Sequence, residues 1–98
     1  MGVTIKDNGK VAFTMEPDNR RCLQRAVEAR IYFDGNDLEA YQLHLLREIG
    51  QSLAGATKTG RITMAGSQFW YLFSPGVMQY LDESTQVVIR GEVGRMEL

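Results

Sequence analysis

The residues with the clearest potential for binding chemistry are three arginines in the first third of the chain: Arg20, Arg21 and Arg25. A guanidinium donates paired hydrogen bonds from a rigid planar fork, and this fork matches the oxygens of a carboxylate or a phosphate. If the three arginines bracket the entrance to a strand, they can grip one anionic ligand together. The alternative is a solvated strand end, where they pair with nearby carboxylates such as Asp18 or Glu28.

The spacing of these arginines, RRxxxR over residues 20–25, resembles the first motif of the PilZ domains. The closing stretch IRGEVGRME extends the resemblance, which implies that the three arginines bind a cyclic dinucleotide. The second PilZ motif, DxSxxG, is expected near residues 45–50. This chain has LLREIG there, and of that motif it matches only Gly50.

A second candidate site is aromatic, in the run Phe-Trp-Tyr-Leu-Phe at residues 69–73. If this run is a strand, Trp70 and Leu72 point away from the core, and something must cover them. Tryptophan and tyrosine beside arginine are typical of interface hot spots, and equally of an ordinary protein core. Leu43, which lies outside the apolar stripe of a predicted helix, also needs a second surface. We therefore predict an interface that includes Leu43, Trp70 and Leu72.

Residues suited to catalysis or metal binding are few. His44 is the only histidine and Cys22 the only cysteine. His44 can pair with Glu48 at i,i+4 spacing, and it lacks nearby cysteine or histidine as fellow metal ligands. The run Asp34 to Asp37 lacks the later glycine and glutamate of a calcium loop. We therefore predict no metal, no cofactor and no catalytic residues, with an enzyme as the less favoured class.

Residues 3–15 predict a β-hairpin that turns at Asp-Asn-Gly. A two-residue loop would place the apolar side chains of the two strands on opposite faces. A three-residue loop pairs Ile5 with Val11 and brings these side chains together. Gly9 then supplies the left-handed residue of the bulge.

Residues 22–33 allow two interpretations. Apolar residues recur at alternate positions, as in a half-buried strand, but the segment also contains a helical stripe and many helix formers. Its ending, Ile31-Tyr32-Phe33 before Asp34-Gly35, favours the strand.

Residues 36–54 predict the principal helix. Asn36 is suited to the N-cap, and Glu39 stands where a capping-box carboxylate can reach back. Six apolar residues then follow at helical spacing: Leu38, Tyr41, Leu45, Leu46, Ile49 and Leu53. Gln42 interrupts this stripe, so we expect it to find a buried hydrogen-bond partner.

The remaining segments predict mostly strands. Residues 61–64 and 68–73 form a second hairpin, and Ser74-Pro75 begins a short helix through Leu81. Residues 86–93 form the last predicted strand, which residues 94–98 extend. The predicted fold is α+β, in the order β-β-β-α-β-β-(α)-β. It has a mainly antiparallel sheet of five to six strands, with the principal helix 36–54 on one face.

Composition limits the function classes. The 98 residues are typical of a single domain (1–98), and a net charge of −1 argues against a nucleic-acid partner. No secretion signal or membrane span is evident, and one cysteine is compatible with the cytoplasm. We therefore predict a non-catalytic interaction or regulatory module that forms a homo-oligomer or binds a protein partner. The alternative is a binder of a small anionic ligand.

Overall fold

The structure is a computed structural model that describes residues 3–5, 8–56 and 60–94. Three described strands form one antiparallel sheet with β2 in the centre: β1 (Val3–Ile5), β2 (Lys10–Thr14) and β3 (Arg61–Ala65). A 3-10 turn, Gly35–Asp37, separates the first two of five described helices. These are α1 (Pro17–Asp34), α2 (Ala40–Gly55), α3 (Gly66–Leu72), α4 (Pro75–Met78) and α5 (Glu83–Gly94). Within the described ranges, no helix combines the length and the apolar character that a membrane crossing requires.

The first hairpin is confirmed. Ile5 pairs with Val11, as the three-residue loop requires. Gly9 has a φ of 79°, in the left-handed region that glycine enters without a steric penalty. Val11 and Phe13 are buried in the core, so the apolar pattern fixed the register correctly.

Residues 22–33 are helical, and the strand interpretation is therefore wrong. α1 starts at Pro17, whose fixed φ suits the first position of a helix. Leu23, Ala26 and Val27 are buried, and their i, i+3, i+4 spacing places them on one helix face. The alternating pattern placed Phe33 inside, but its ring is exposed.

A helix within residues 36–54 is confirmed, but it begins later than predicted. α2 starts at Ala40, with Glu39 rather than Asn36 as its N-cap. The Gln42 side-chain oxygen accepts a hydrogen bond from the Glu39 backbone N–H at 2.9 Å. Gln42 therefore has its partner at an exposed helix start and not in the core. Leu46, Ile49 and Leu53 are buried as predicted, whereas Tyr41 is exposed.

The second predicted hairpin is wrong, because a helix follows β3 directly. The Gln68 side-chain oxygen accepts a hydrogen bond from the Ala65 N–H at 3.2 Å, and this bond caps the start of α3. Phe69 and Leu72 are buried at i,i+3 spacing on one side of α3. The short helix expected at Ser74-Pro75 is confirmed with Ser74 as its N-cap, but α4 ends at Met78 and not at Leu81.

The last predicted strand, residues 86–93, is also helical. Asp82 accepts a hydrogen bond from the Thr85 N–H at 2.9 Å. The Thr85 hydroxyl and this N–H together hold the pKa of Asp82 below its usual value. Ile89 of α5 is buried, although Val87 and Val88 favour strands by propensity. The predicted extension over residues 94–98 lies, beyond Gly94, outside the described residues.

The predicted fold class is therefore wrong. The described chain has five helices and a three-stranded sheet, in place of five to six strands and one principal helix. The core lies between the helices and the inner face of the sheet, where the rings of Phe13, Phe69 and Phe73 meet edge to face.

Candidate functional site

The most developed cluster of polar side chains joins the end of α1 to the segment after α4. Arg30 and Asp34 are one helical turn apart, and Arg30 Nη1 donates to Asp34 Oδ2 at 2.8 Å. The Tyr80 hydroxyl donates to the same carboxylate oxygen. Three side chains from two distant parts of the sequence therefore converge at one partly buried point.

Asp34 occupies a position that does not favour a carboxylate. It is the last residue of α1, where the helix dipole presents partial negative charge. The hydrogen bonds from Tyr80 and Arg30 offset this effect and lower the pKa of Asp34 below its usual value. The hydrogen bond from Tyr80 to Asp34 also raises the pKa of Tyr80, because the phenol donates its proton to a charged acceptor. Both groups are therefore held in their neutral-pH protonation states.

The Arg30 guanidinium lies flat against the backbone of α4. A β-carbon on Gly76 would come within 2.9 Å of Arg30 Nη2, so glycine leaves the space that the guanidinium occupies. The Asp34 carboxylate and, to a smaller extent, the buried Tyr71 hydroxyl beside the guanidinium raise the pKa of Arg30. Arg30 thus connects α1 to α3 and α4.

An exposed group of aromatic rings covers this polar cluster. The Phe33 ring stacks on Tyr80 with centroids 5.9 Å apart and ring planes within 12°. Tyr32 meets Phe33 edge to face at 4.9 Å. Tyr32 is 81% exposed and Phe33 is 67% exposed. We call Tyr32, Phe33 and Tyr80 the aromatic surface.

The three arginines named from the sequence do not form one site. They lie on α1 and not at a strand entrance, so Arg20 points in a different direction from Arg21 and Arg25. Arg20 is buried, and its Nε has no described partner. Arg21 pairs with Asp18, as the solvated alternative predicts. Arg21 and Arg25 border an open groove of about 260 Å³, which also contains a carboxylate, Glu28.

The three predicted interface residues have different environments. Leu72 is fully buried in the core, so the prediction that it points outwards is wrong. Leu43 is half-buried, and its Cδ2 lies 3.7 Å from where a β-carbon on Gly35 would be. Trp70 is 53% exposed on α3, in agreement with the expected direction of its side chain.

The ionisable residues considered for metal binding have ordinary partners. His44 Nε2 lies 2.9 Å from Glu48 Oε1, which confirms the predicted i,i+4 pair. A group of three or more histidine, cysteine, aspartate or glutamate side chains that could hold a metal ion is not found in the described ranges.

Sequence reasoning missed the aromatic surface and the polar cluster beneath it. A signal for part of the cluster was present, because Arg30 and Asp34 have the i,i+4 spacing of a helical ion pair. The contact with Tyr80 spans 46 residues and had no local signal. In comparisons with known proteins, the chain matches no family model, no curated protein and no solved structure.

Proposed function

We propose that this protein is a non-catalytic interaction module that forms a homodimer through its aromatic surface. The observation that carries the proposal is the exposure of Tyr32 and Phe33, two rings in mutual contact at the end of α1. When a partner covers exposed aromatic rings, their removal from water favours binding. The free energy gained is about 25 cal/mol per Å² of apolar area buried. Tyrosine is also enriched among the residues that dominate binding energy.

The polar cluster supports this proposal because it orients the rings before binding. The hydrogen bond between Tyr80 and Asp34 fixes the ring on which Phe33 stacks. A surface that is already ordered loses less conformational entropy when a partner docks.

A second copy of the chain is the partner that fits this surface. Rings that present both faces and edges can pack on an identical set across a two-fold axis, as in an isologous dimer. A net charge of −1 gives little repulsion between copies. A cytoplasmic location, predicted from the single cysteine Cys22, accompanies this proposal.

Light scattering coupled to gel filtration tests the proposal. We expect the wild type to show twice the 11.1 kDa chain mass at high concentration. The double variant Tyr32→Ser, Phe33→Ser should stay monomeric, because it removes the apolar contact without touching the core. Val87→Ser on α5 is the matched control, since Val87 is also 67% exposed, and it should not change the mass.

Two results would contradict the proposal. A wild type that stays at the monomer mass at every concentration would exclude a homodimer. If Trp70→Ser dissociates the dimer and the double variant does not, the interface predicted around Trp70 replaces the aromatic surface.

A further inference from the structure

A groove separate from the aromatic surface runs along the open edge of the sheet. The described strands have the order β1-β2-β3, so β3 has a paired strand on one side only. A cavity of about 450 Å³ is lined by Thr63 and Ala65 of β3 and by Gln51 and Ser52 of α2. Thr63 faces outwards from the sheet, whereas α2 packs on the inner face. A cavity that touches both must therefore pass the free edge of β3.

The hydrogen-bond phase of β3 shows which backbone groups point into this groove. The Gly66 N–H donates to the Gly9 carbonyl at 3.2 Å, which continues the register in which Lys10 faces Ala65. Directly opposed residues alternate between bonded and non-bonded pairs in an antiparallel ladder. Met64 therefore directs its N–H and C=O towards β2, and Thr63 directs its own towards the free edge.

Gln68 defines one end of this edge. Its side-chain oxygen accepts the outward N–H of Ala65, and its side-chain nitrogen donates to Glu48 of α2. An added strand can therefore pair with Thr63, but its pairing ends near Ala65. The available edge is a few residues long, which suits a short segment.

The charge beside the groove indicates what kind of segment fits. Lys10 lies opposite Ala65 on the outer face, and its ammonium makes no ion pair within the described ranges. Glu48 also lines the groove, but both of its oxygens are already bonded, to His44 and Gln68. Glu48 keeps its negative charge on the α2 side of the groove, whereas Lys10, on the outer face, is the charged lining residue whose side chain is left to pair with an acidic ligand side chain.

We propose that the groove between β3 and α2 binds a short, extended, acidic peptide by strand addition. The main chain of the peptide exchanges hydrogen bonds with Thr63, while alternate side chains face Lys10 on one side and Gln51 and Ser52 on the other. Strand addition gives affinity through backbone bonds and selectivity through alternate side chains. This site is distinct from the proposed dimer surface and does not depend on it.

The test uses short blocked peptides titrated into ¹⁵N-labelled protein. The probe alternates threonine and glutamate over five residues, and the matched probe carries lysine in place of glutamate. We expect the acidic probe to shift the amide signals of Thr63 and Gln51. It should bind about tenfold more tightly than the lysine probe, because one hydrogen bond to a charged group replaces a contact between like charges at Lys10. Two N-methylated probes, one methylated at the odd and one at the even residues, complete the test. Only one of them should lose binding, because only one of these two sets of N–H groups faces β3.

Variants of the protein separate backbone pairing from side-chain effects. Thr63→Pro removes the outward N–H, and proline is tolerated on an edge strand where that N–H faces solvent. It should weaken the acidic probe by about tenfold, the value of one hydrogen bond. Thr63→Val keeps the N–H and should bind as the wild type does. Lys10→Glu should reverse the preference between the acidic and basic probes.

Three outcomes of the peptide titrations would overturn the proposal. These are a flat titration of the wild type, equal effects of N-methylation in both probes, and shifts confined to the aromatic surface. A change in oligomeric mass caused by Thr63→Pro would also overturn it, because the edge would then pair with a second copy. The Phe33→Ser variant should retain peptide binding, so a failure of the dimer proposal remains distinguishable from a failure of this one.

Discussion

At the scale of single residues, Asp34 shows how a locally unfavourable position becomes a fixed point of the structure. A carboxylate at a helix C-terminus opposes the dipole. The guanidinium of Arg30 and the hydroxyl of Tyr80 both donate to it, and Gly76 leaves room for that guanidinium. The aromatic surface depends on this arrangement, since the Phe33 ring stacks on the Tyr80 ring.

The pH dependence of stability tests the role of Asp34. Its folded-state pKa is below the ordinary value of 3.8, so its bonds stabilise the fold above about pH 4 and are lost as the pH falls through the folded pKa. We expect Asp34→Asn to lower the urea midpoint at pH 7, and the difference from wild type to shrink at pH 3 and below. Asp37→Asn, in the exposed 3-10 turn, is the control. An Asp34→Asn difference that is unchanged by acid would exclude this charge effect.

At the scale of elements, the sequence predicted the segments whose local signals agree. In the first hairpin, the position of Gly9 and the apolar register both require the same loop. In α2, the apolar stripe and the polar flanks agree on a helix. The N-cap was misplaced because Asn36 is of a preferred N-cap type and Glu39 is not. In the structure the Gln42 side chain bonds the Glu39 backbone N–H, and the helix begins there.

The segments that were predicted wrongly carry two patterns at once. Residues 22–33 fit both a period of two and a helical stripe, and the buried positions of Leu23, Ala26 and Val27 show that packing selected the helix. In residues 86–93, the β-branched pair Val87 and Val88 favoured a strand. There the cap at Asp82 and the burial of Ile89 outweigh a weak intrinsic preference.

Two glycines inside helices allow a test of how closely α1 and α2 pack. A β-carbon on Gly50 would meet Val27 Cγ1 at 3.8 Å, an ordinary contact distance, whereas one on Gly91 of α5 would meet nothing within 4 Å. Alanine at either position should raise the free energy of unfolding by about 0.5–1 kcal/mol through helix propensity. The free energy of unfolding should rise slightly more for Gly50→Ala than for Gly91→Ala, because the added methyl group at position 50 contacts Val27.

Urea denaturation of the two alanine variants measures this difference. Gly91→Ala serves as the control, since its effect contains the propensity alone. A destabilised Gly50→Ala variant with a stabilised Gly91→Ala variant would mean that α1 and α2 lie closer together than the structure shows.

At the scale of the whole molecule, the chain encloses its own core. The radius of gyration is 12.7 Å, close to the value of about 13 Å expected for a folded chain of 100 residues. The aromatic surface and the β3 groove lie outside this core. Neither was predicted from the sequence, because each requires contacts between segments that are far apart along the chain. The arginine motif was visible in the sequence, but on helix α1 Arg20 points in a different direction from Arg21 and Arg25.

A closed core implies that the proposed dimer is reversible, and its stability must then depend on protein concentration. Binding of a partner to the folded state alone raises the apparent stability by mass action. For a domain of this size, we expect the thermal midpoint to rise by about 3–5 °C for each tenfold increase in concentration while the dimer predominates. Tyr32→Ser, Phe33→Ser should unfold at a midpoint that does not change with concentration. A wild-type midpoint that stays constant over a hundredfold range would mean that the aromatic surface does not bind a second copy.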